Sequence, residues 1–249
     1  MPLEAADIAL AALAFLLAGV IKGTVGIGMP TASVGLMTQF LDPRTAIALV
    51  VFPSLLANLW QVYRTGGFAP ALKRYAVFLA TIMSVIWLVS ATVTAAVPVG
   101  AILLALGVVV VLFSAASLAW TPPELPQRFD ALGQAAAGVI AGVLGGLTAI
   151  WAPPMVVYLL ARRVDKDEFV RATGLIIFLG TAPLILGLAQ AGLITAETSL
   201  VSAAMTLPVL MGFTVGERLR RHLDTERFRK IVLVIFLVMG ANLLRKALV

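Results

Sequence analysis

Apolar residues in this chain form long continuous runs, and the charged residues are concentrated between the runs. Six of the ten runs are near the 20 or so residues that a helix needs to cross a bilayer. Short alternating segments, typical of a transmembrane barrel, are not seen. The pattern predicts helical segments at residues 8–22, 28–41, 45–63, 75–97, 99–120, 131–146, 150–161, 170–190, 196–216 and 230–248.

Glycine and proline interrupt the pattern at two places. Residues 18–31 read AGVIKGTVGIGMPT, and residues 142–154 read GVLGGLTAIWAPP. These clusters predict that a helix stops and another begins. The first run, residues 8–21, is only about 21 Å long as a helix, so each flanking pair is either a re-entrant hairpin or two short spans. Irregular backbone in lipid must be buried in protein or line a wet cavity, so each break is a candidate site.

The first break also has a copy in the second half of the chain. AGVIKGTVGIG at residues 18–28 matches AGVIAGVLGGL at 137–147 in six of eleven positions, at an offset of 119. This offset is close to half of the 249 residues. We therefore predict a first membrane repeat at 1–120, a proline-rich polar linker at 121–130 and a second repeat at 131–249.

Basic residues are distributed unevenly between the loops. All but four of the 18 Lys and Arg residues lie in the loops 64–74, 120–130, 162–171 and 217–230, which the positive-inside rule places in the cytoplasm. The two repeats then enter the membrane from opposite sides. Inverted repeats with broken helices are typical of secondary transporters, whose substrate site lies near the midplane.

Composition supports this class and excludes others. The chain is 61% hydrophobic and 12% charged, with a mean hydropathy of +1.06, which indicates an all-α polytopic membrane protein. The net charge of +6 is explained by the basic loops, so no nucleic-acid partner is expected. The chain has no cysteine and a single histidine, His222, which predicts no metal or cofactor. Apart from Glu197, next to the start of the segment 196–216, no segment contains Asp or Glu, which disfavours carboxylate proton relays, and no P-loop follows a strand-like run, which excludes ATP-driven transport.

Lys22 is the one charged residue inside an apolar setting. It marks an anion site if it is buried, or it snorkels to the membrane surface if residues 8–22 form a full span. Helices that restart at Met29 and Ile150 would present free N–H groups to the same anion. The candidate substrate-binding residues are Lys22, Gly23, Thr24, Gly26, Gly28, Thr31, Asn58, Gln61, Gly142, Gly145, Gly146, Thr148 and Trp151, with Pro30, Pro153 and Pro154 as structural breakers.

Several of these residues have a structural alternative. The glycines fit close helix packing as well as a binding role. Asn58 and Gln61 lie on one helical face and fit either the cavity or hydrogen bonds between helices. Trp151 fits packing or an interfacial anchor.

The motifs GTVGIGMP at 23–30 and GVLGGLTAIWAPP at 142–154, with ANLWQVYRTGGF at 57–68, resemble the sulfite exporter TauE/SafE family of bacterial membrane permeases. Family members typically have denser glycine where Met29 and Leu147 stand here. The resemblance implies a multi-pass protein of the bacterial cytoplasmic membrane that moves sulfite or an organosulfonate, usually outward.

We therefore expect a secondary transporter, not an enzyme, with a small anion and the lipid bilayer as partners and possible homo-oligomerisation. The alternatives are a permease for another small anion, a passive channel, and an intramembrane enzyme acting on lipid or phosphate. The enzyme would need an acid, base or nucleophile at depth, and beyond Lys22 and hydroxyl groups the segments supply none.

Overall fold

A computed structural model describes residues 3–66, 68–119, 122–220 and 224–248. His222 and Thr121, the first residue of the expected linker, lie outside these ranges. The described residues form no strand, one short 3-10 turn at Gln127–Phe129 and twelve helices. The helices are α1 (Ala5–Val25), α2 (Met29–Met37), α3 (Pro43–Thr65), α4 (Phe68–Arg74), α5 (Ala76–Thr92), α6 (Val99–Ala119), α7 (Asp130–Thr148), α8 (Ala152–Ala161), α9 (Lys166–Gln190), α10 (Ala196–Ala204), α11 (Thr206–Leu219) and α12 (Thr225–Leu248).

The helix lengths confirm an all-α polytopic membrane protein. By length and composition, seven helical stretches within the described residues can cross a membrane, with α10 and α11 counted as one, or eight if the bent pair α4–α5 is one span. The axes of α4 and α5 meet at 79°. Each of the ten predicted segments overlaps a helix, and the seven or eight candidate spans among the described residues reach only the low end of the expected eight to ten.

Both predicted helix breaks are present, but the helices before them are longer than expected. Helix α1 has 21 residues and α7 has 19, so each is about 30 Å long and can cross the hydrocarbon core. The prediction of a half-length first segment was wrong. Only the second member of each pair is short, because α2 and α8 have 9 and 10 residues.

Three glycines predicted to lie at the second break are inside α7 instead. An added Cβ at Gly142 or Gly146 would lie 2.6 Å from Cβ of Val85 or Val89 on α5. Gly23 is likewise inside α1, where a Cβ would overlap the Phe213 carbonyl oxygen on α11. Glycine in a membrane helix lets neighbouring backbones approach closely, and this packing role keeps the helices continuous.

Equivalent helix ends in the two halves are spaced by a constant number of residues. Helices α1 and α7 are terminated by Gly26 and Ala149, which both have a left-handed backbone conformation. Helices α2 and α8 begin at Met29 and Ala152. Each pair is 123 residues apart, one helical turn more than the offset of 119 in the sequence match. The counterpart of Lys22 in this register is therefore Gly145 rather than Ala141.

Helices pair across the two halves of the chain. Helix α1 packs along α11 and α7 packs along α5, while α6 pairs with α12 and α3 with α9. Helix α5 also packs closely on α9, where an added Cβ at Gly187 would overlap the Ser90 hydroxyl. The division into repeats at 1–120 and 131–249 stays a prediction.

Charged contacts define a basic face of the bundle. Arg74 and Arg171 both contact Glu168, Arg162 contacts Asp130, and Arg64 contacts Glu217. On the opposite face the Arg44 guanidinium donates to the Ala95 and Val97 carbonyls and the Lys246 ammonium to the Thr38 and Gln39 carbonyls. The basic loops thus gather at one end of the bundle, and three of the other four basic residues lie at the other.

Carboxylates occur inside helices, contrary to the expectation from the segments. Asp130 begins α7, while Glu168 lies in the first turn of α9 and Glu217 in the last turn of α11. The predicted segments began at residues 131 and 170 and ended at residue 216, so they excluded these three carboxylates. At this face the Tyr75 hydroxyl donates to the Glu168 carboxylate, and the Glu168 backbone N–H lowers the pKa of the helix-capping Asp165.

Candidate functional site

The first break is a turn of three residues between α1 and α2 that two glycines make possible. Gly26 and Gly28 have φ values of 93° and 94°, a conformation that other residues adopt only with strain. The Gly26 N–H donates to the Lys22 carbonyl at 2.7 Å and ends α1. The chain then reverses so that α2, almost entirely buried, packs back against α1.

We expect Gly26→Ala to destabilise the protein by about 1–2 kcal/mol, because an L-residue must be forced into the left-handed region. No atom lies within 4 Å of the added Cβ, so steric overlap contributes nothing. Thermal unfolding in detergent checks this. Gly100→Ala is the matched control, since that helical glycine has only one neighbour, at 3.7 Å. Equal melting temperatures for the two variants would contradict the expected strain.

The two short helices differ in the N–H groups that they leave free. Helix α2 begins with Met29, Pro30 and Thr31, so proline removes one of its first three donors. Helix α8 begins with Ala152, Pro153 and Pro154, so two of three are removed. Residues 142–147 lie inside α7, so their N–H groups bond along the helix and are not available to an anion.

Lys22 lies on the last turns of α1 and faces the protein interior. Its side chain is 2% exposed, and its ammonium donates to the Asn58 side-chain oxygen on α3 at 2.5 Å. The Asn58 amide nitrogen donates in turn to the Ser54 carbonyl, which orients its oxygen toward Lys22. Lys22 therefore does not snorkel. Among the described residues, the neutral Asn58 is the one hydrogen-bond partner of this ammonium, so its charge is left uncompensated there, and such a group attracts an anion.

Gln61, one turn beyond Asn58, links α3 to α9. Its amide nitrogen donates to the Val170 carbonyl at 2.7 Å and approaches the Thr173 hydroxyl at 3.5 Å. Gly174 makes this approach possible, because a Cβ there would lie 3.0 Å from the Gln61 side chain. Asn58 and Gln61 were predicted either to face the cavity or to form hydrogen bonds between helices, and these two roles are compatible. Each residue bonds to a neighbouring helix, and each lies beside Lys22 or its cavity.

A cavity of about 220 Å³ adjoins Lys22 at the basic-face end of the bundle. Residues of α1, α3, α9 and α11 surround it: Lys22, Gly23, Gly26, Trp60, Gln61, Arg64, Thr65, Val170, Phe213, Glu217 and Arg220. Two arginines and one lysine outnumber one glutamate on this lining. Arg64, Glu217 and Arg220 were not among the predicted site residues, because their basic loops indicated only a solvated surface.

The structure does not bring the second break to this cavity. Trp151 is 2% exposed and packs against Gly145, close to Ile86 and Gly180. The Thr148 hydroxyl donates to the Leu144 carbonyl and accepts from the Ile150 N–H, so it stabilises the break locally. Residues of the second break are absent from the described lining of the Lys22 cavity.

The remaining buried polar side chains near the two breaks either form hydrogen bonds within the protein or have a polar atom without a partner in the described part of the chain. The Thr24 hydroxyl donates to the Val20 carbonyl at 2.8 Å and lies 3.2 Å from the Gly216 carbonyl, which ties α1 to α11. Among the described residues, no partner is found for the buried Thr31 Oγ1, Ser54 Oγ or Trp151 Nε1. Three such unpaired atoms on α2, on α3 and at the second break are unusual in a well-packed interior.

The described ranges contain no group of three or more His, Asp or Glu side chains suited to a metal ion. Searches against known proteins gave one family-level result. The family model described as Sulfite exporter TauE/SafE matches residues 11–243. No match was found among curated proteins or among solved structures.

Proposed function

The chain belongs to the TauE/SafE sulfite exporter family, and from this premise we propose that it is a permease that exports sulfite or a small organosulfonate across the cytoplasmic membrane. The family and the helices establish a multi-pass membrane protein of a transporter type. We propose, beyond this, the identity of the substrate, the outward direction of its transport and the location in the cytoplasmic membrane. The observation that carries the proposal is the buried Lys22 ammonium beside a cavity lined by Arg64 and Arg220.

This chemistry suits a compact oxyanion. Guanidinium groups bind the oxygen atoms of sulfite or a sulfonate through paired N–H donors, and the Lys22 ammonium adds a point charge where water is scarce. A volume of about 220 Å³ accommodates a small anion with some of its water. Binding must remain moderate, because a permease has to release its substrate.

Alternating access is supported by the unequal packing of two corresponding helix pairs. Helices α5 and α9 are in close contact, whereas α3 and α11 diverge around a groove of about 780 Å³. In a protein with inverted repeats these pairs would correspond to each other, so one side is closed while the other is open. We propose that transport exchanges the two arrangements, which opens α5 and α9 and closes α3 and α11.

The proposal is tested by thermal stability of the purified protein with sulfite, taurine, sulfate, acetate and phosphate at equal ionic strength. A ligand that binds the native state raises its apparent stability, by about 2.7 kcal/mol at 100 times the dissociation constant. We expect sulfite or taurine to give the largest shift. A larger shift with acetate or phosphate would indicate a permease for another anion and contradict the sulfur assignment.

A further inference from the structure

An ion pair stands at the mouth of the Lys22 cavity. Nη1 of Arg64, near the end of α3, lies 2.9 Å and 3.2 Å from the two carboxylate oxygens of Glu217 on α11. Both residues line the cavity, and their side chains are 49% and 40% exposed. The same two residues also close one end of the groove between α3 and α11. The pair therefore bridges two helices that otherwise diverge.

We propose that Glu217 is an intramolecular competitor of the transported anion. This inference rests on the proposed function and names a residue that controls specificity at the same site. A glutamate carboxylate and a sulfonate present similar oxygen atoms to a guanidinium group. Glu217 occupies Arg64 while the cavity is empty, and an incoming oxyanion displaces it, which frees α11 to move relative to α3.

The energetics allow this exchange. A half-exposed ion pair contributes only about 0–1 kcal/mol, because water screens it. An anion that reaches Lys22 and Arg64 together gains more than that, since the Lys22 side chain is only 2% exposed and its charge is weakly screened. Without Glu217, three cationic side chains would face the cavity uncompensated and would hold an anion too tightly for release. The carboxylate thus lowers the affinity of the mouth for an anion and couples the movement of α11 to anion binding.

A contact between α5 and α9 toward the opposite end of the bundle is neutral. The Trp87 indole N–H on α5 donates to the Gln190 side-chain oxygen on α9 at 3.0 Å. Neither group carries charge, so an anion that displaced the Gln190 oxygen from the indole N–H would separate no ion pair. Of these two contacts between helices, only the one at the basic face is an ion pair whose carboxylate an oxyanion can replace.

Single-cysteine labelling tests the proposal, because the chain has no cysteine of its own. Thr65→Cys places a thiol on the cavity wall. Its reaction rate is measured with an anionic and a cationic methanethiosulfonate of similar size, with and without Glu217→Gln. We expect Glu217→Gln to raise the ratio of anionic to cationic rates about fivefold, the effect of about 1 kcal/mol. Glu124→Gln, an exposed carboxylate elsewhere, is the control for net charge and should leave the ratio within twofold.

A double-mutant cycle separates competition from a general change in charge. In the Arg64→Gln background, Glu217→Gln should change the ratio by less than about twofold, because the guanidinium that Glu217 pairs with has been removed. A fivefold effect in both backgrounds, or no effect in either, would overturn the proposal. Sulfite stabilisation is measured on the same proteins. Coupling without sulfite stabilisation would leave the competitor role standing and refute the substrate instead.

Discussion

Lys22→Met is expected to weaken sulfite binding at least about 100-fold, a loss of about 2.7 kcal/mol. Methionine has a similar length but no charge, so the variant removes the buried ammonium and leaves the packing between α1 and α3 intact. Loss of one charged partner in a desolvated site typically costs 2–5 kcal/mol or more. The dissociation constant is measured by thermal shift or calorimetry, and export by efflux from loaded vesicles.

Folded yield and melting temperature should change little in the same variant. Removing a buried charge relieves a desolvation cost, which offsets the lost hydrogen bond to Asn58. Lys246→Met is the matched control, because that ammonium contacts the backbone carbonyls of Thr38 and Gln39 at the opposite face. The Lys246→Met variant should bind sulfite with the same affinity as the wild type. If Lys22→Met lost binding and folded yield in equal measure, Lys22 would be structural.

Among glycine-to-alanine substitutions, we expect Gly212→Ala to reduce the stability of the fold most. An added Cβ would overlap the Leu16 carbonyl oxygen and lie 3.0 Å from the Val20 backbone nitrogen. These are backbone atoms of α1, so no side-chain rotation relieves the overlap. The same interface contains Gly19, Gly23 and Gly216, each opposite a backbone oxygen. We expect a loss above about 3 kcal/mol, at the upper end for overpacking, with little folded protein recovered.

Gly180→Ala is the control for this prediction. Gly180 is also helical and buried, but its added Cβ would meet side-chain atoms only at 3.6–3.8 Å, which is ordinary contact. Alanine also has the better helix propensity, by up to about 1 kcal/mol. Folded yield is compared by size-exclusion chromatography after extraction. Normal yield for Gly212→Ala would mean that α1 and α11 lie farther apart than described.

Sequence reasoning located the helices because hydrophobic length and glycine–proline clusters are local signals. Met29 was predicted to begin a helix and does so, since Gly28 and Pro30 interrupt the chain on both sides of it. Gly142, Gly145 and Gly146 misled the prediction, because the same residue type allows a break and close packing. Only the neighbouring helix distinguishes the two, and the sequence does not show which helix that is.

The site could be predicted only in part, for a similar reason. Lys22 and Asn58 were identified because polar residues in apolar segments are rare, but their mutual contact depends on how α1 crosses α3. Glu217 was assigned to a loop, since a charged residue at the edge of an apolar run gives no sign of facing inward. The close approach of Gly23 to α11 brings Glu217 to the Lys22 cavity. That approach is a property of packing, not of any short motif.

The bend of 79° between α4 and α5 has a consequence for how the protein sits in the bilayer. Helix α4 must lie nearly parallel to the membrane plane if α5 crosses it. Its exposed Phe68 and Leu72 would then rest among the acyl chains near the headgroups, while Lys73 and Arg74 reach the phosphates. An interfacial helix of this kind fixes how deeply the bundle sits in one leaflet. A thicker or thinner bilayer is therefore accommodated by tilt of the long spans rather than by vertical slippage of the bundle.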